Sequence, residues 1–208
     1  MPIAVDLFCG RGGWTIGLQA AGWTVLGFDI DSELTRDYPG HLALQDVSTI
    51  SGYAMRGKVD LIVASPPCQQ YSLWGMRMFH PNPAVPDKTL WESALRIAHE
   101  AEAPVIIENV RGAQYWWGRA SYKSGPFYFW GNVPPIWPDV PVKRKNVVDD
   151  IKNGSRRKLK VNAAFSSSSK ERRELSAKAA MIPFPLAKYI GEVFWPASIS
   201  RNDHAASA

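Results

Sequence analysis

Apolar runs at residues 3–8, 24–30, 59–64 and 105–107 each end in glycine-rich or polar sequence, and helix-patterned stretches at 14–21 and 90–101 lie between them. This alternation limits the chain more than any other feature, because strands that alternate with helices form a parallel sheet covered on both faces. In the second helical stretch Leu90, Ala94, Ile97, Ala98 and Ala101 recur at helical spacing, and Pro104 ends it. The expected class is therefore α/β, a Rossmann-like and mostly parallel sheet with helices on both faces. Open sheets of this kind bind ligands outside the carboxyl ends of their strands. Here those ends carry Cys9-Gly10-Arg11-Gly12-Gly13, Asp29 and Asp31, Ser65-Pro66-Pro67-Cys68-Gln69, and Glu108-Asn109. One crevice is expected to collect them.

The 208 residues suffice for one domain with little room for a second, and 46% hydrophobic against 21% charged residues is a globular composition. Past residue 110 the alternation gives way to aromatic, Pro-rich and Gly-rich sequence, with a short strand expected at 127–130. Residues 143–173 then hold eleven Lys or Arg against three Asp or Glu, while the rest of the chain is net acidic. Such a run is either a solvated loop or a surface that contacts phosphates, with Arg156, Arg157 and Lys158 the candidate contacts. Helix-like composition returns at 173–194, and the tail from Pro196 is expected to fray. The organisation expected is a single domain over 1–195, including a small basic insertion at about 138–173, and a flexible tail at 196–208. No apolar run approaches the ~20 residues of a bilayer span, and no basic leader precedes an apolar stretch at the N-terminus. With only two cysteines, a monomer in a reducing cytoplasm is expected, without a membrane or metal partner.

Glycines directly after a strand let a ligand approach the backbone, and an acid about 20 residues later can take ribose hydroxyls. Asp29 stands 19 residues after Gly10, but a dinucleotide fingerprint would need a third glycine where Thr15 stands. Acids at Asp29 and Asp46, each closing a strand, suit a nucleoside-bearing ligand without phosphates, such as S-adenosylmethionine. A plain tight turn is the alternative. Pro66 and Pro67 make a rigid loop that holds Cys68 at the crevice, as a nucleophile requires; an isolated cysteine elsewhere is more often a packed core residue. Glu108 ends an apolar strand, and a carboxyl in that setting has a raised pKa and shares a proton with a ring nitrogen of a base. Taken alone, a strand-end Glu is more often a surface acid or a helix cap.

In order along the chain, Asp6-Leu7-Phe8-Cys9-Gly10-Arg11-Gly12-Gly13, Phe28-Asp29-Ile30-Asp31, Gln45-Asp46-Val47, Pro66-Pro67-Cys68-Gln69 and Glu108-Asn109-Val110 resemble the motifs of cytosine carbon-5 DNA methyltransferases of the small, phage type. The resemblance covers residues 3–110 and implies the S-adenosylmethionine-dependent methyltransferase fold. It implies that the turn of Phe8, Gly10 and Gly12 holds the methionine part of the cofactor. Asp29 would take the ribose and Asp46 the adenine amino group, with Ile30, Val47 and Pro66 completing the set. Cys68 would be the nucleophile that adds to carbon 6 of an extruded cytosine, while Glu108 stabilises the protonated ring at nitrogen 3. Gln69 and Ser72, beside the nucleophile, would contact double-stranded DNA.

Past Val110 the chain departs from the family pattern. The family's Arg-x-Arg element has its nearest counterpart in Lys143-Arg144-Lys145, which makes Arg144 a further catalytic candidate. A large target-recognition domain should follow, yet only residues 146–172 separate this element from the C-terminal segment, and the final Gly-Asn signature stands as Gly191-Glu192. So short a reader makes few base contacts, each worth about 1–3 kcal/mol of discrimination, and a recognition site on the order of two base pairs is expected. The same residues also suit a cytosine-5 methyltransferase acting on RNA, or a non-catalytic DNA-binding relative. Intact Cys68 and Glu108 argue against the latter.

Overall fold

The computed structural model describes residues 1–75, 78, 82–134 and 180–205, the last ten by backbone alone. Its strands are β1 (Ile3–Leu7), β2 (Thr24–Asp29), β3 (His41–Leu44), β4 (Leu61–Ala64), β5 (Val105–Asn109), β6 (Tyr122–Ser124) and β7 (Phe127–Gly131). They form one sheet in the order β3-β2-β1-β4-β5-β7-β6. β1 to β5 pair in parallel, whereas β7 runs antiparallel to β5 and β6 antiparallel to β7. The chain is thus α/β with a mostly parallel sheet, as the alternation predicts.

Both faces of the sheet are covered, and the pleat decides what each covers. Leu61 and Val63 of β4 face a core cluster shared with α1 (Gly13–Ala20) and α5 (Phe184–Ala205), while Ile62 and Ala64 face the cluster under α3 (Thr89–Ala101). Period-two alternation of this kind sends every second side chain to the opposite layer. Leu186 and Ile190 of α5 are wholly buried, each contributing about 1.5–3 kcal/mol relative to exposure. α5 lies so close to α1 that a Cβ on Gly17 would fall 2.3 Å from that of Ala187, and the Trp23 indole N–H donates to the Gly191 carbonyl at 2.9 Å. Two short helices, α2 (Gln69–Gly75) and α4 (Gln114–Trp117), follow β4 and β5.

The backbone of α5 is helical through Pro196 to Ala205; a proline removes one helical hydrogen bond and strains the preceding turn without having to end the helix. β6 pairs as a hairpin with β7 across Gly125-Pro126, though Tyr122-Lys123-Ser124 is too short to show a strand period. The basic insertion at 138–173 lies outside the described residues, as do 206–208. Among the described residues no helix is long and apolar enough to cross a membrane. β1 has β2 on one side and β4 on the other, so the strand order reverses at β1, where the chain crosses back from β3 to β4. The resulting crevice outside the strand ends is where the polar turns meet.

Candidate active site

A cleft of about 1090 Å³ runs along the carboxyl edge of the sheet. Strand order sets the sequence of groups in it: Asp46 after β3, Asp29 and Ile30 at β2, Phe8 and Gly10 after β1, Pro66 and Cys68 after β4, and Glu108 at β5. The turn after β1 needs its glycines, because Gly10 (φ 49°) and Gly12 (φ 76°) lie in the left-handed region. Asp29 is pinned by that turn: its Oδ2 accepts from the Gly10 N–H and its Oδ1 from the Asp31 N–H, both at 2.9 Å. Asp46 Oδ1 accepts from the Ser48 N–H at 2.9 Å, which opens a short 3-10 turn and seats Val47 in the core.

At the other end, β4 and β5 are neighbours, so the loops after them lie side by side. The Asn109 side chain, buried, donates from Nδ2 to the Pro66 carbonyl at 2.9 Å and accepts at Oδ1 from the Val110 N–H. The end of β5 therefore grips the loop that carries Cys68. The Cys68 carbonyl accepts from the Ser72 N–H at 2.8 Å and from the Ser72 hydroxyl at 3.0 Å, which places the thiol at the entry of α2. α2 in turn sits on the backbone after β5: a Cβ on Gly112 would fall 1.8 Å from the Tyr71 carbonyl oxygen and 2.6 Å from the Gly75 nitrogen. Two contacts, one at Asn109 and one at Gly112, thus fix the spacing between Cys68 and Glu108.

Burial controls the charges. Glu108 is only 8% exposed, and desolvation pushes its carboxyl up to about 8, opposed by a hydrogen bond with Ser65. At neutral pH it holds a proton. The Cys68 thiol is also raised, first by burial and then by the neighbouring Glu108 charge, with Ser72 acting in the opposite direction. The Ser65 hydroxyl oxygen accepts from the Trp14 indole N–H at 3.0 Å. Beneath the first turn, Asp6 is buried against the Thr15 hydroxyl at 2.7 Å, and burial lifts its carboxyl to about 7. Cys9 is buried there too, and both cysteines are free thiols.

Of the residues singled out from the sequence, Phe8, Gly10, Asp29, Ile30, Asp46, Val47, Pro66, Cys68, Gln69, Ser72 and Glu108 all line this one cleft. Gly12 does not. It is buried at the N-cap of α1, where a Cβ would strike Pro39 at 2.6 Å, so the close packing of the turn requires a glycine there. Gly191 likewise packs against Ala21 and Trp23, away from the cleft. Arg144, Arg156, Arg157 and Lys158 lie outside the described residues. The cleft also takes Trp14, Ser65, Phe127, Met181 and Ile182, which the sequence reading did not single out. Met181 and Ile182 arrive from the far end of the chain through the α1–α5 contact, and a short apolar pair before Pro183 carries no signal for that. Arg11, within the glycine turn, also lines the cleft.

The model of the C-5 cytosine-specific DNA methylase family matches residues 3–115. Among curated proteins the chain is similar to the type II methyltransferase M.AplI of Arthrospira platensis, with 31% identity over 54% of this chain and 32% of that protein. It is also similar to M.AquIA of Picosynechococcus, with 30% identity over 54% of this chain and 50% of that one. Among solved structures, a putative DNA modification methyltransferase encoded within an E. coli prophage aligns with TM-score 0.43 and 23% identity, over 54% of this chain and 33% of that one. The Dnmt2 methyltransferase of S. pombe aligns with TM-score 0.40 and 18% identity, over 55% and 35%. The chain spans half the length, or less, of the curated relatives it matches. Because the family model matches more than half of the chain and takes in β1 to β5 with the turns that carry Gly10, Asp29, Asp46, Cys68 and Glu108, the chain belongs to the C-5 cytosine-specific DNA methylase family.

Proposed function

We propose that this chain methylates carbon 5 of cytosine in double-stranded DNA, with S-adenosylmethionine as methyl donor. The observation that carries the reading is the pairing, at adjacent strand ends, of a half-buried thiol on Cys68 with a buried, proton-holding carboxyl on Glu108. Carbon 5 of cytosine is a poor nucleophile until a group adds at carbon 6. The Cys68 sulfur forms that bond, and Glu108 donates its proton toward ring nitrogen 3, so the ring electrons move to carbon 5. Once carbon 5 is methylated, loss of its proton to a base re-forms the 5,6 double bond and expels the Cys68 sulfur.

The cofactor supplies an electrophilic sulfonium methyl group. The other end of the cleft suits it. Gly10 leaves space in which a Cβ would meet only Leu34, at 3.7 Å. Asp29 is held by two backbone donors and keeps lone pairs for ribose hydroxyls, and Asp46 has Oδ2 for an adenine amino group. Ile30, 73% exposed at the rim, offers an apolar surface to the base.

The target cytosine must leave the stack to reach Cys68, which costs a few kcal/mol. In this reading the basic insertion offsets that cost through phosphate contacts, while Gln69 and Ser72 stand at the mouth of the cleft beside the flipped base, and Arg144 positions it. Neutralising Arg156, Arg157 and Lys158 together is then expected to weaken binding to every duplex sequence and to lower the slope of log affinity against log salt by about 2 to 3. An unchanged slope in a fluorescence titration restores the solvated-loop reading.

Bisulfite sequencing of a random-sequence duplex library treated with the chain and S-adenosylmethionine tests the whole reading, with an RNA library in parallel. Protected cytosines in DNA, at a site of about two base pairs, are expected, given the worth of each base contact. Protection confined to RNA overturns the DNA assignment. Protection in neither library overturns the activity, and a consensus of four or more fixed bases overturns the short site.

A further inference from the structure

The cleft holds four carboxyl groups, on Asp29, Asp31, Asp46 and Glu108, and one cation among its described lining residues, Arg11. Among the described residues Arg11 pairs with none of them, and its Nε is buried without a hydrogen-bond partner. Asp29, the nearest acid by sheet order, has both oxygens engaged by backbone N–H groups of Gly10 and Asp31. The Arg11 side chain as a whole is part-exposed, but a donor nitrogen shut off from water without an acceptor is costly. A guanidinium fork is built to take a carboxylate or a phosphate through two parallel hydrogen bonds.

Strand order says which anion. Neighbouring strand ends lie about 4.8 Å apart, and along the edge the groups run Asp46, Asp29, Arg11, Cys68, Glu108. A ligand whose nucleoside lies over Asp46 and Asp29 extends its other end over β1, one strand short of the nucleophile. That end falls on Arg11. We infer that Arg11 takes the α-carboxylate at the amino-acid end of S-adenosylmethionine, and that this chain selects its cofactor by that charge. The inference rests on the reading of the cleft as an S-adenosylmethionine site. A phosphate of the extruded nucleotide is the competing anion, but it would have to pass Cys68 to reach β1.

Calorimetric titration of the full chain, without DNA, with S-adenosylmethionine and with its decarboxylated analogue tests this directly. The unaltered chain is expected to prefer the carboxylate-bearing ligand by about 10- to 100-fold, the worth of a charge-assisted hydrogen bond. Arg11→Gln brings the ratio close to one by weakening only S-adenosylmethionine, and Arg11→Lys restores part of it. Equal affinity for both ligands in the unaltered chain overturns the inference, whatever the variants do. So does an unchanged ratio in Arg11→Gln, or a variant in which cofactor affinity holds while the KM for DNA rises, which would assign Arg11 to a phosphate. Binding of neither ligand by the unaltered chain overturns the cofactor reading itself and this inference with it.

Discussion

A Cys68→Ala variant is expected to transfer no methyl group to DNA and still to bind S-adenosylmethionine with near-native affinity. The sulfur acts on carbon 6 of the base, and no other group in the cleft can replace it: Cys9, the second thiol, is 5% exposed beneath the first turn, where burial raises its pKa. The fold should tolerate the change, because Cys68 belongs to neither core cluster and alanine keeps the carbonyl that accepts from the Ser72 N–H and hydroxyl. Two readouts separate the chemistry from the fold. Duplex DNA containing 5-fluorocytosine traps a covalent adduct when carbon 5 cannot lose its substituent; the unaltered chain should form it and Cys68→Ala should not. Titration calorimetry should give the same cofactor affinity for both. Substantial residual turnover in Cys68→Ala would sink the covalent mechanism, whereas loss of cofactor binding would show that the residue holds the cleft together.

The sheet and the cleft were legible to different depths, and the difference is physical. β1, β2, β4 and β5 are mostly buried on both faces and therefore read as largely apolar runs, with Asp6 the one acid inside β1. Their polar ends mark where the chain leaves the core, so Asp29, Cys68 and Glu108 could be placed in one crevice before any coordinates. β3 is mostly exposed and only four residues long, and its run His41-Leu42-Ala43-Leu44 is intelligible only beside β2. At Gly12 a Cβ would strike Pro39 across the turn, a packing demand that the motif alone does not display. Asn109 and Gly112 carry the spacing between nucleophile and acid through a side-chain amide and a bare backbone, contacts that exist only once β5 and α2 are packed. Pairwise contacts of that kind leave no period or composition for a single sequence to display.

Replacing Glu108 by glutamine is expected to lower kcat about 10²- to 10⁴-fold, the range for a lost general acid, with cofactor affinity unchanged. The amide keeps the shape and can donate a hydrogen bond to ring nitrogen 3, but it cannot release a proton as carbon 6 is attacked. The pH profile is the sharper test, and its sign follows from the two raised groups. The reacting form needs a proton on Glu108, whose carboxyl loses it above about 8, and none on Cys68, whose thiol is held above its ordinary range. Below pH 8 the acid is filled and the thiolate fraction rises with pH, so kcat/KM for DNA climbs about tenfold per unit. Above about 8 the loss of the Glu108 proton cancels the further gain of thiolate, and the profile goes flat until the thiol itself is titrated. In Glu108→Gln the flat region should vanish. With no proton to lose at position 108, the residual rate keeps climbing through pH 8, and the thiol titrates lower because a neutral amide no longer repels the thiolate. A variant with near-native kcat, or one whose profile still levels off near pH 8, would assign the proton on ring nitrogen 3 to some other group.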